Sequence, residues 1–135
     1  MMREILFRGK SEIAQKWVYG DLLQYADKAQ IWEDTEQGKF NAQVIPETIG
    51  QYTGLTDKNG RKIFERDIIT REFHDDYYTG VVYWADDFLG YCVKFLDGTT
   101  PEIMPLNEFY RTKYIEVIGN VHDNPELLKG ERENV

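Results

Sequence analysis

Residues 48–69, TIGQYTGLTDKNGRKIFERDII, hold the densest run of turn and strand signals in the chain. At their centre, the segment Asp57-Lys58-Asn59-Gly60 predicts a chain reversal. An Asp at the first turn position accepts backbone hydrogen bonds, and a Gly at the fourth position tolerates a positive φ. The stretch therefore predicts a β-hairpin in which Asp57, Asn59 and Gly60 have a structural role.

Two registers of this hairpin are compatible with the sequence. A type I turn closed by a left-handed Gly60 places Leu55 opposite Ile63, and this apolar cross-strand pair makes it the preferred arrangement. A two-residue loop would instead place Asp57 opposite Lys62. In either register the hairpin supplies the core candidates Tyr52, Leu55, Ile63, Phe64, Ile68 and Ile69.

The composition is typical of one soluble domain. A chain of 135 residues can bury a sizeable core without disulfides or metals. Cys92 is the single cysteine, which excludes a disulfide within the chain and fits a reducing compartment. The start MMREILFRGK has charges inside any apolar segment, and no apolar run approaches the roughly 20 residues that span a bilayer. We therefore expect a cytoplasmic protein that needs no cofactor and does not bind membranes.

Short apolar segments separated by turn signals recur along the chain, a pattern typical of a barrel or sandwich. The strands predicted outside the hairpin are Arg3–Arg8, Lys16–Tyr25, Ala29–Glu33, Phe40–Ile45, Val81–Trp84, Tyr91–Leu96 and Tyr114–Ile118. Within the second of these, Gly20 indicates a bulge or a close approach of another backbone. The polar segment His74–Thr79 is predicted to be a loop.

Two segments indicate short helical turns. The segment 103–110 is ambiguous, because either a helical turn begins in it or Pro105 ends a strand. Asn124 and Pro125 predict a small helix, with Asn124 as N-cap and Pro125 at the first helical position.

Together these signals predict a single, mainly β domain over residues 1–135. An SH3-like, partly open barrel is expected in residues 48–121. Residues 1–47 are expected to add further strands, and residues 122–135 a short helix and a tail. An α+β fold is the alternative.

Several motifs, taken in order, resemble the YopX-like family of phage and prophage proteins. They are Arg3–Gly9, Lys16–Asp21, Thr48–Leu55, Asp57 with Gly60, Ile63–Glu65 with Asp67-Ile68, Ile115–Asn120, and Asn124–Leu128. One position departs from the family pattern, since Arg66 stands where the family usually has Gly. If that Gly serves a positive φ, this chain needs a slightly different local backbone. The resemblance implies a small β-rich phage protein and no particular activity.

Acidic and aromatic residues suggest a surface that binds a partner. The candidates are Tyr77, Tyr78, Trp84, Asp86, Asp87 and Phe88. Aromatic residues are enriched at the energetic centres of protein interfaces. Turn chemistry alone would also explain Asp86 and Asp87.

The same aromatic residues bear on nucleic-acid binding. Tyr77, Tyr78 and Tyr83 could stack on bases. However, acidic residues flank them, and the chain has 24 acidic against 16 basic residues, a net charge of −8. A polyanion is therefore a disfavoured partner.

No residue pattern predicts catalysis or metal binding. His74-Asp75-Asp76 and His122-Asp123 lack the spacing of a metal site. Glu65, Arg66 and Asp67 could form a catalytic carboxylate pair with a cation, but they are more simply strand-end charges that oppose edge pairing. Cys92 has no paired cysteine and is expected to be an inert, partly buried thiol.

These observations lead to two main functional hypotheses, and a third, a small hydrolase, rests only on scattered carboxylates and histidines. The first is a non-enzymatic phage or prophage accessory protein that binds another, unknown protein. The alternative is a nucleic-acid-binding β-barrel protein. Both main hypotheses are compatible with a homo-oligomer.

Overall fold

Strands make up most of the computed structural model, which describes residues 3–73, 75–96, 103–106 and 114–128. The strands are β1 (Phe7–Lys10), β2 (Trp17–Tyr25), β3 (Lys28–Thr35), β4 (Gly38–Gln43), β5 (Gly50–Thr56), β6 (Lys62–Phe64), β7 (Asp67–Phe73), β8 (Asp76–Ala85), β9 (Gly90–Phe95), β10 (Ile103–Pro105) and β11 (Ile115–Asn120). A 3-10 turn, Pro46–Thr48, lies between β4 and β5. The prediction of a mainly β chain is confirmed.

The strands form two antiparallel sheets. The first has the order β4-β3-β2-β1-β5-β6, and the second has the order β10-β9-β8-β7-β11. Among the described residues, the end strands β10 and β11 of the second sheet do not pair with each other. That sheet is therefore open and does not close into a barrel. The chain divides into two compact units, Met1–Gly54 and Leu55–Val135.

The first unit has a small apolar core on one face of its sheet. Ala29, Ile31 and Val44 form its centre, surrounded by partly buried Phe7, Val18, Leu22 and Ile49. β2 is shared between two neighbours, because its first half pairs with β1 and its second half with β3. At the junction, a Cβ on Gly20 would run into the carbonyl oxygen of Trp32. The predicted close backbone approach at Gly20 is confirmed.

The second unit has the larger core. Its buried members are Ile63, Ile69, Val82, Val93, Phe95, Leu106, Ile115 and Val117. Five of the six core candidates of the central hairpin are buried. The sixth, Leu55, is half-buried and packs against this core.

The central hairpin turns as the preferred register requires. The Gly60 N–H donates to the Asp57 carbonyl at 3.0 Å, and the Asp57 N–H donates to the Arg61 carbonyl at 2.8 Å. Gly60 has a φ of +82°, the left-handed conformation that glycine adopts without steric cost. The loop thus contains three residues, 58–60, and not two.

Strand boundaries differ from the sequence prediction by one or two residues in several strands, and by more than that in β1 and β8. β1 is Phe7–Lys10 and not Arg3–Arg8. β8 begins at Asp76, so the predicted loop His74–Thr79 is wrong from Asp76 onward. The reason is non-local, because Asp76–Thr79 pair with Thr70–Phe73 in the β7–β8 hairpin. Cross-strand backbone pairing overrides the polar composition of the segment.

The two predicted helical segments have different outcomes. Residues 126–128 are helical, and Leu128 N–H donates to the Pro125 carbonyl at 3.1 Å. Asn124 does not act as the predicted N-cap, because its Oδ1 accepts the N–H of Asn120 at 3.2 Å instead. Pro105 is the last residue of β10, and Leu106 is helical. Residues 107–110 of the ambiguous segment lie outside the described residues.

Arg66 has the backbone conformation that glycine favours. Its φ is +69°, in the left-handed region. Its N–H donates to the Val82 carbonyl at 2.7 Å, and its carbonyl accepts the N–H of Val121 at 3.0 Å. Backbone hydrogen bonds to two segments therefore hold a non-glycine residue in a strained conformation.

Replacing Arg66 by glycine is expected to raise the free energy of unfolding by about 1 kcal/mol, because glycine adopts a positive φ without strain. Arg66→Ala keeps the Cβ and removes the guanidinium, so it serves as the matched control. Chemical denaturation of the two variants measures the difference. Equal stability of Arg66→Gly and Arg66→Ala would show that the left-handed backbone stores no strain here.

Candidate functional site

The carboxylate of Asp57 is the best-connected polar group of the central turn. Its Oδ1 accepts the backbone N–H groups of Asn59 at 2.9 Å and Arg61 at 2.8 Å. Its Oδ2 accepts the N–H of Val117 at 3.0 Å. The side chain thus closes its own turn and also joins that turn to β11.

Further contacts fasten the same turn to β11. Lys58 N–H donates to the Ile115 carbonyl at 2.9 Å. Arg61 Nη1 donates to the Val117 carbonyl at 3.3 Å. At the surface, Lys58 Nζ lies 3.6 Å from Glu116 Oε1. These contacts give the turn a structural role and leave the Asp57 carboxylate enclosed by backbone donors.

The electrostatics of Asp57 fit that role. Burial by itself would raise the pKa of the carboxyl group. The backbone hydrogen bonds from Val117, Arg61 and Asn59, together with the Arg61 charge, outweigh burial, so the pKa lies below its ordinary value of 3.8. Asp57 therefore stays ionised at neutral pH and is unsuited to proton transfer there.

The candidate partner-binding residues lie at two ends of β8. Tyr77 and Tyr78 pair with β7 near the start of the strand. Trp84 lies near its end, six residues beyond Tyr78, which corresponds to about 20 Å along a strand. The structure therefore does not bring all six candidates together.

The two tyrosines at the start of β8 differ from each other. Tyr77 is 68% exposed. Tyr78 packs against the core of the second unit and meets the Phe95 ring edge-to-face, with the ring centroids 6.4 Å apart. Tyr78 is thus half-buried against the core, and Tyr77 is the more exposed of the two tyrosines.

The turn between β8 and β9 carries the other candidates. We call Trp84, Asp86, Asp87, Phe88 and Leu89 the acidic aromatic tip. Trp84 Nε1 donates to Asp86 Oδ1 at 3.0 Å, and its ring meets Tyr91 edge-to-face at 5.2 Å between centroids. Phe88 is 56% exposed and Leu89 is 81% exposed. Two apolar side chains therefore project beside two carboxylates.

Leu89 is a member of the tip that the sequence analysis missed. Its φ is +51°, a left-handed conformation that is uncommon for a leucine. Its N–H donates to the Asp86 carbonyl at 3.2 Å. The sequence did contain a signal for Leu89, because an apolar residue stands directly before the Gly of the turn ADDFLG.

Tyr83 and Cys92 lie opposite each other on β8 and β9. Burial raises the pKa of the Cys92 thiol, which is fully buried and not partly buried as expected. Burial is also the main cause that raises the pKa of Tyr83, followed by the charges of Cys92 and Asp87. Cys92 is therefore held as the unreactive thiol form.

The residues considered for metal binding and catalysis have other roles or lie outside the described residues. In the described part of the chain, no group of three or more His, Cys, Asp or Glu side chains is placed to hold a metal ion. His74 is outside that part. Asp67 is buried, and its Oδ2 accepts the N–H of Phe64 at 2.8 Å. Its carboxylate thus stabilises the turn between β6 and β7.

The described residues include no helix that is long and apolar enough to cross a membrane.

The fold and the site define a mainly β protein in which a hairpin turn centred on Asp57 is hydrogen-bonded to β11. The chain belongs to the YopX family, whose family model, described as YopX protein, matches residues 6–129. No curated protein matches the chain. The crystal structure of protein EF1440 from Enterococcus faecalis is similar to it, with a TM-score of 0.54 and 23% sequence identity, covering 94% of this chain and 99% of that chain. That likeness shows a shared fold.

Proposed function

We propose that this protein is a non-enzymatic phage or prophage accessory protein that binds another protein through the acidic aromatic tip. The observation that supports the proposal is the exposure of Phe88 and Leu89 beside Asp86 and Asp87. Exposed apolar groups next to charges are typical of surfaces that bind proteins.

The tip is also organised for binding. The hydrogen bond to Asp86 and the edge-to-face contact with Tyr91 hold the Trp84 ring in one orientation. An ordered aromatic side chain loses little conformational freedom when a partner covers it. Trp is among the residues that contribute most to binding energy at interfaces. The partner expected has an apolar pocket bordered by Lys or Arg, since the tip contributes two carboxylates.

The remaining parts of the proposal rest on the sequence. The motif resemblance supports a phage or prophage source, and therefore a site of action in the cytoplasm of a bacterial host. The lack of a recognisable catalytic motif supports a function without enzymatic activity.

The test compares tip variants in affinity capture from a bacterial host lysate. Replacing Phe88 and Leu89 together by serine is expected to abolish capture of the specific partner, because it removes both exposed apolar groups. Tyr77→Ser is the matched control, since the exposed fraction of Tyr77, 68%, lies between those of Phe88 and Leu89, but Tyr77 lies at the other end of β8. With the purified partner, Phe88→Ala should weaken binding by more than about 1 kcal/mol in calorimetry.

Two outcomes would contradict the proposal. One is capture of the same protein by the wild type and by the double-serine variant. The other is loss of capture with Tyr77→Ser and not with the tip variant, which would move the binding surface to the start of β8. Circular dichroism of each variant confirms that the fold is retained.

A further inference from the structure

The edge strand β4 of the first unit is open to pairing with another strand. It is the last strand of its sheet, contains no proline and pairs with β3 without a bulge. Natural proteins usually cover, shorten or interrupt such strands, because an open edge is a template for another chain. The edge strand β11 of the second sheet is covered, since the central turn binds the Ile115 carbonyl and the Val117 N–H. Residues 38–41 of β4 are exposed.

Two hydrogen bonds show which backbone groups of β4 point away from β3. Val44, directly after β4, donates its N–H to a carbonyl of β3 at 3.0 Å. The Gln43 carbonyl accepts the N–H of Glu12 from the other side of the strand, also at 3.0 Å. Because these directions alternate along an antiparallel strand, the N–H and C=O groups of Lys39 and Asn41 point outward. No described residue forms a hydrogen bond with these four outward groups.

We infer that β4 pairs with β4 of a second copy of this chain, antiparallel and about a two-fold axis at Phe40. Each Lys39 then lies opposite Asn41 of the second copy, and the two residues exchange two backbone hydrogen bonds. The two-fold axis generates the same pair once more, as an isologous interface requires. All four outward backbone groups of each copy thereby obtain partners. The inference concerns the first unit and does not depend on the acidic aromatic tip.

The register at Phe40 is the one that the outward residues favour. Backbone hydrogen bonds form only where outward residues of the two strands lie opposite each other. A shift toward the start of β4 would place Lys39 opposite Lys39 of the second copy, and like charges in that position are destabilising. A shift toward its end would place Lys39 opposite Gln43, whose carbonyl already accepts the N–H of Glu12. The register at Phe40 avoids both conflicts.

The side chains at the axis also favour a second copy. Phe40 is 54% exposed although it is large and apolar. In this register it lies opposite Phe40 of the second copy as a non-hydrogen-bonded pair, with the Cα atoms about 4.5 Å apart. Aromatic pairs of this kind stabilise paired strands. Lys39, the one charged residue of β4, lies opposite Asp34 of β3, so its charge is offset within each copy.

The first measurement is sedimentation equilibrium of the wild type. Protein from about 10 to 500 µM is used, because an interface this small is expected to have a dissociation constant on the order of 10–100 µM. The sedimenting species should change from monomer to dimer across that range. A monomer at every concentration would overturn the inference and leave the edge to an extended segment of a different protein. Growth beyond the dimer would also overturn it, because two-fold pairing of β4 is closed.

A charge at the axis tests whether β4 forms the interface. Phe40→Lys places like charges opposite each other and should raise the dissociation constant of the dimer at least about fivefold. Tyr77→Lys is the matched control, because Tyr77 is 68% exposed and lies on β8 of the second unit. The control should stay within about twofold of the wild type. An unchanged dimer in Phe40→Lys, or an equal loss in both variants, would overturn the inference.

Asn41→Pro tests the backbone hydrogen bonds. The substitution removes an outward N–H that β3 does not use, and proline is tolerated on an edge strand in that position. Dimerisation should weaken at least about tenfold, because the dimer loses two hydrogen bonds. Circular dichroism and thermal unfolding check that the monomer keeps its fold. A folded Asn41→Pro variant that dimerises like the wild type would contradict the inference, and if the variant does not fold, Phe40→Lys decides alone.

Cysteine substitutions test the register. The expected Cα separation at Phe40, about 4.5 Å, is within the range that a disulfide spans. Phe40→Cys with oxidised glutathione as the oxidant should therefore give a disulfide-linked dimer on a non-reducing gel. Asn41→Cys is the control, because its two copies are offset by two residues and lie about 8 to 9 Å apart, too far for a disulfide. Cys92 is buried, so the wild type should remain unlinked. More cross-linking in Asn41→Cys than in Phe40→Cys would overturn the proposed pairing.

Discussion

Replacing Asp57 by alanine is expected to lower the free energy of unfolding by about 3 to 5 kcal/mol, measured by chemical denaturation. The change removes a buried carboxylate that accepts three backbone N–H groups. Hydrogen bonds to a charged group contribute more than neutral ones, and buried donors left without an acceptor are costly. The donor of Val117 is buried beside the core, so water replaces the lost acceptor poorly.

Asp57→Asn keeps the shape of the side chain and removes its charge, so it shows how much of the stabilisation depends on the carboxylate. The amide has one oxygen, so it can accept from the turn or from Val117 but not from both, and its NH₂ group faces a donor in either orientation. A loss of about 2 kcal/mol or more is expected. Asp87→Asn, in an exposed turn of the same unit, is the control and should change stability by less than about 0.5 kcal/mol. A loss in Asp57→Asn no larger than in the control would show that the turn is not held by this carboxylate.

The lowered pKa of Asp57 predicts how the free energy of unfolding changes in acid. Its pKa in the folded protein lies below the ordinary value of 3.8. Its contribution is therefore complete above pH 3.8 and is lost as pH falls toward and through the folded pKa. The difference in unfolding free energy between the wild type and Asp57→Asn should be constant near neutral pH and shrink below that value. A difference that persists unchanged at low pH would contradict this assignment.

Gly20→Ala is expected to destabilise the protein by about 3 kcal/mol or more. A Cβ at this position would overlap the carbonyl oxygen and carbon of Trp32 on β3. These are backbone atoms of a paired strand, so they cannot move aside as a flexible side chain would. Either β2 and β3 must move apart and lose pairing, or the backbone of β2 must shift. Both changes would disturb the core around Ile31.

Gly90→Ala is the matched control for Gly20→Ala. Gly90 begins β9, and a Cβ there would meet only the Phe88 carbonyl at an ordinary distance of 3.8 Å. Its effect should be below about 1 kcal/mol. Thermal unfolding of both variants measures the difference. If Gly20→Ala were as stable as Gly90→Ala, the close approach of β2 and β3 would not be a real constraint.

The candidate site could be predicted from the sequence only in part. The acidic aromatic turn was recognisable because Trp84, Asp86 and Phe88 are close together along the chain. The sequence could not show that Tyr78 packs against the core while Tyr77 is exposed. The side of β8 that faces the core is set by the pairing of β8 with β7 and β9. Leu89 was missed because apolar residues are usually assigned to the core.

The sequence by itself determined the features that depend on a few neighbouring residues. The Asp57–Gly60 turn is one, because its signals lie within four consecutive residues, and the mainly β character is another. Tertiary structure alone decided that Asp57 accepts a hydrogen bond from Val117, sixty residues later in the chain. It also decided that Arg66 adopts a positive φ between Val82 and Val121. Local turn preferences involve only adjacent residues, whereas burial and strand pairing depend on which distant segments meet, and no single stretch of sequence contains that information.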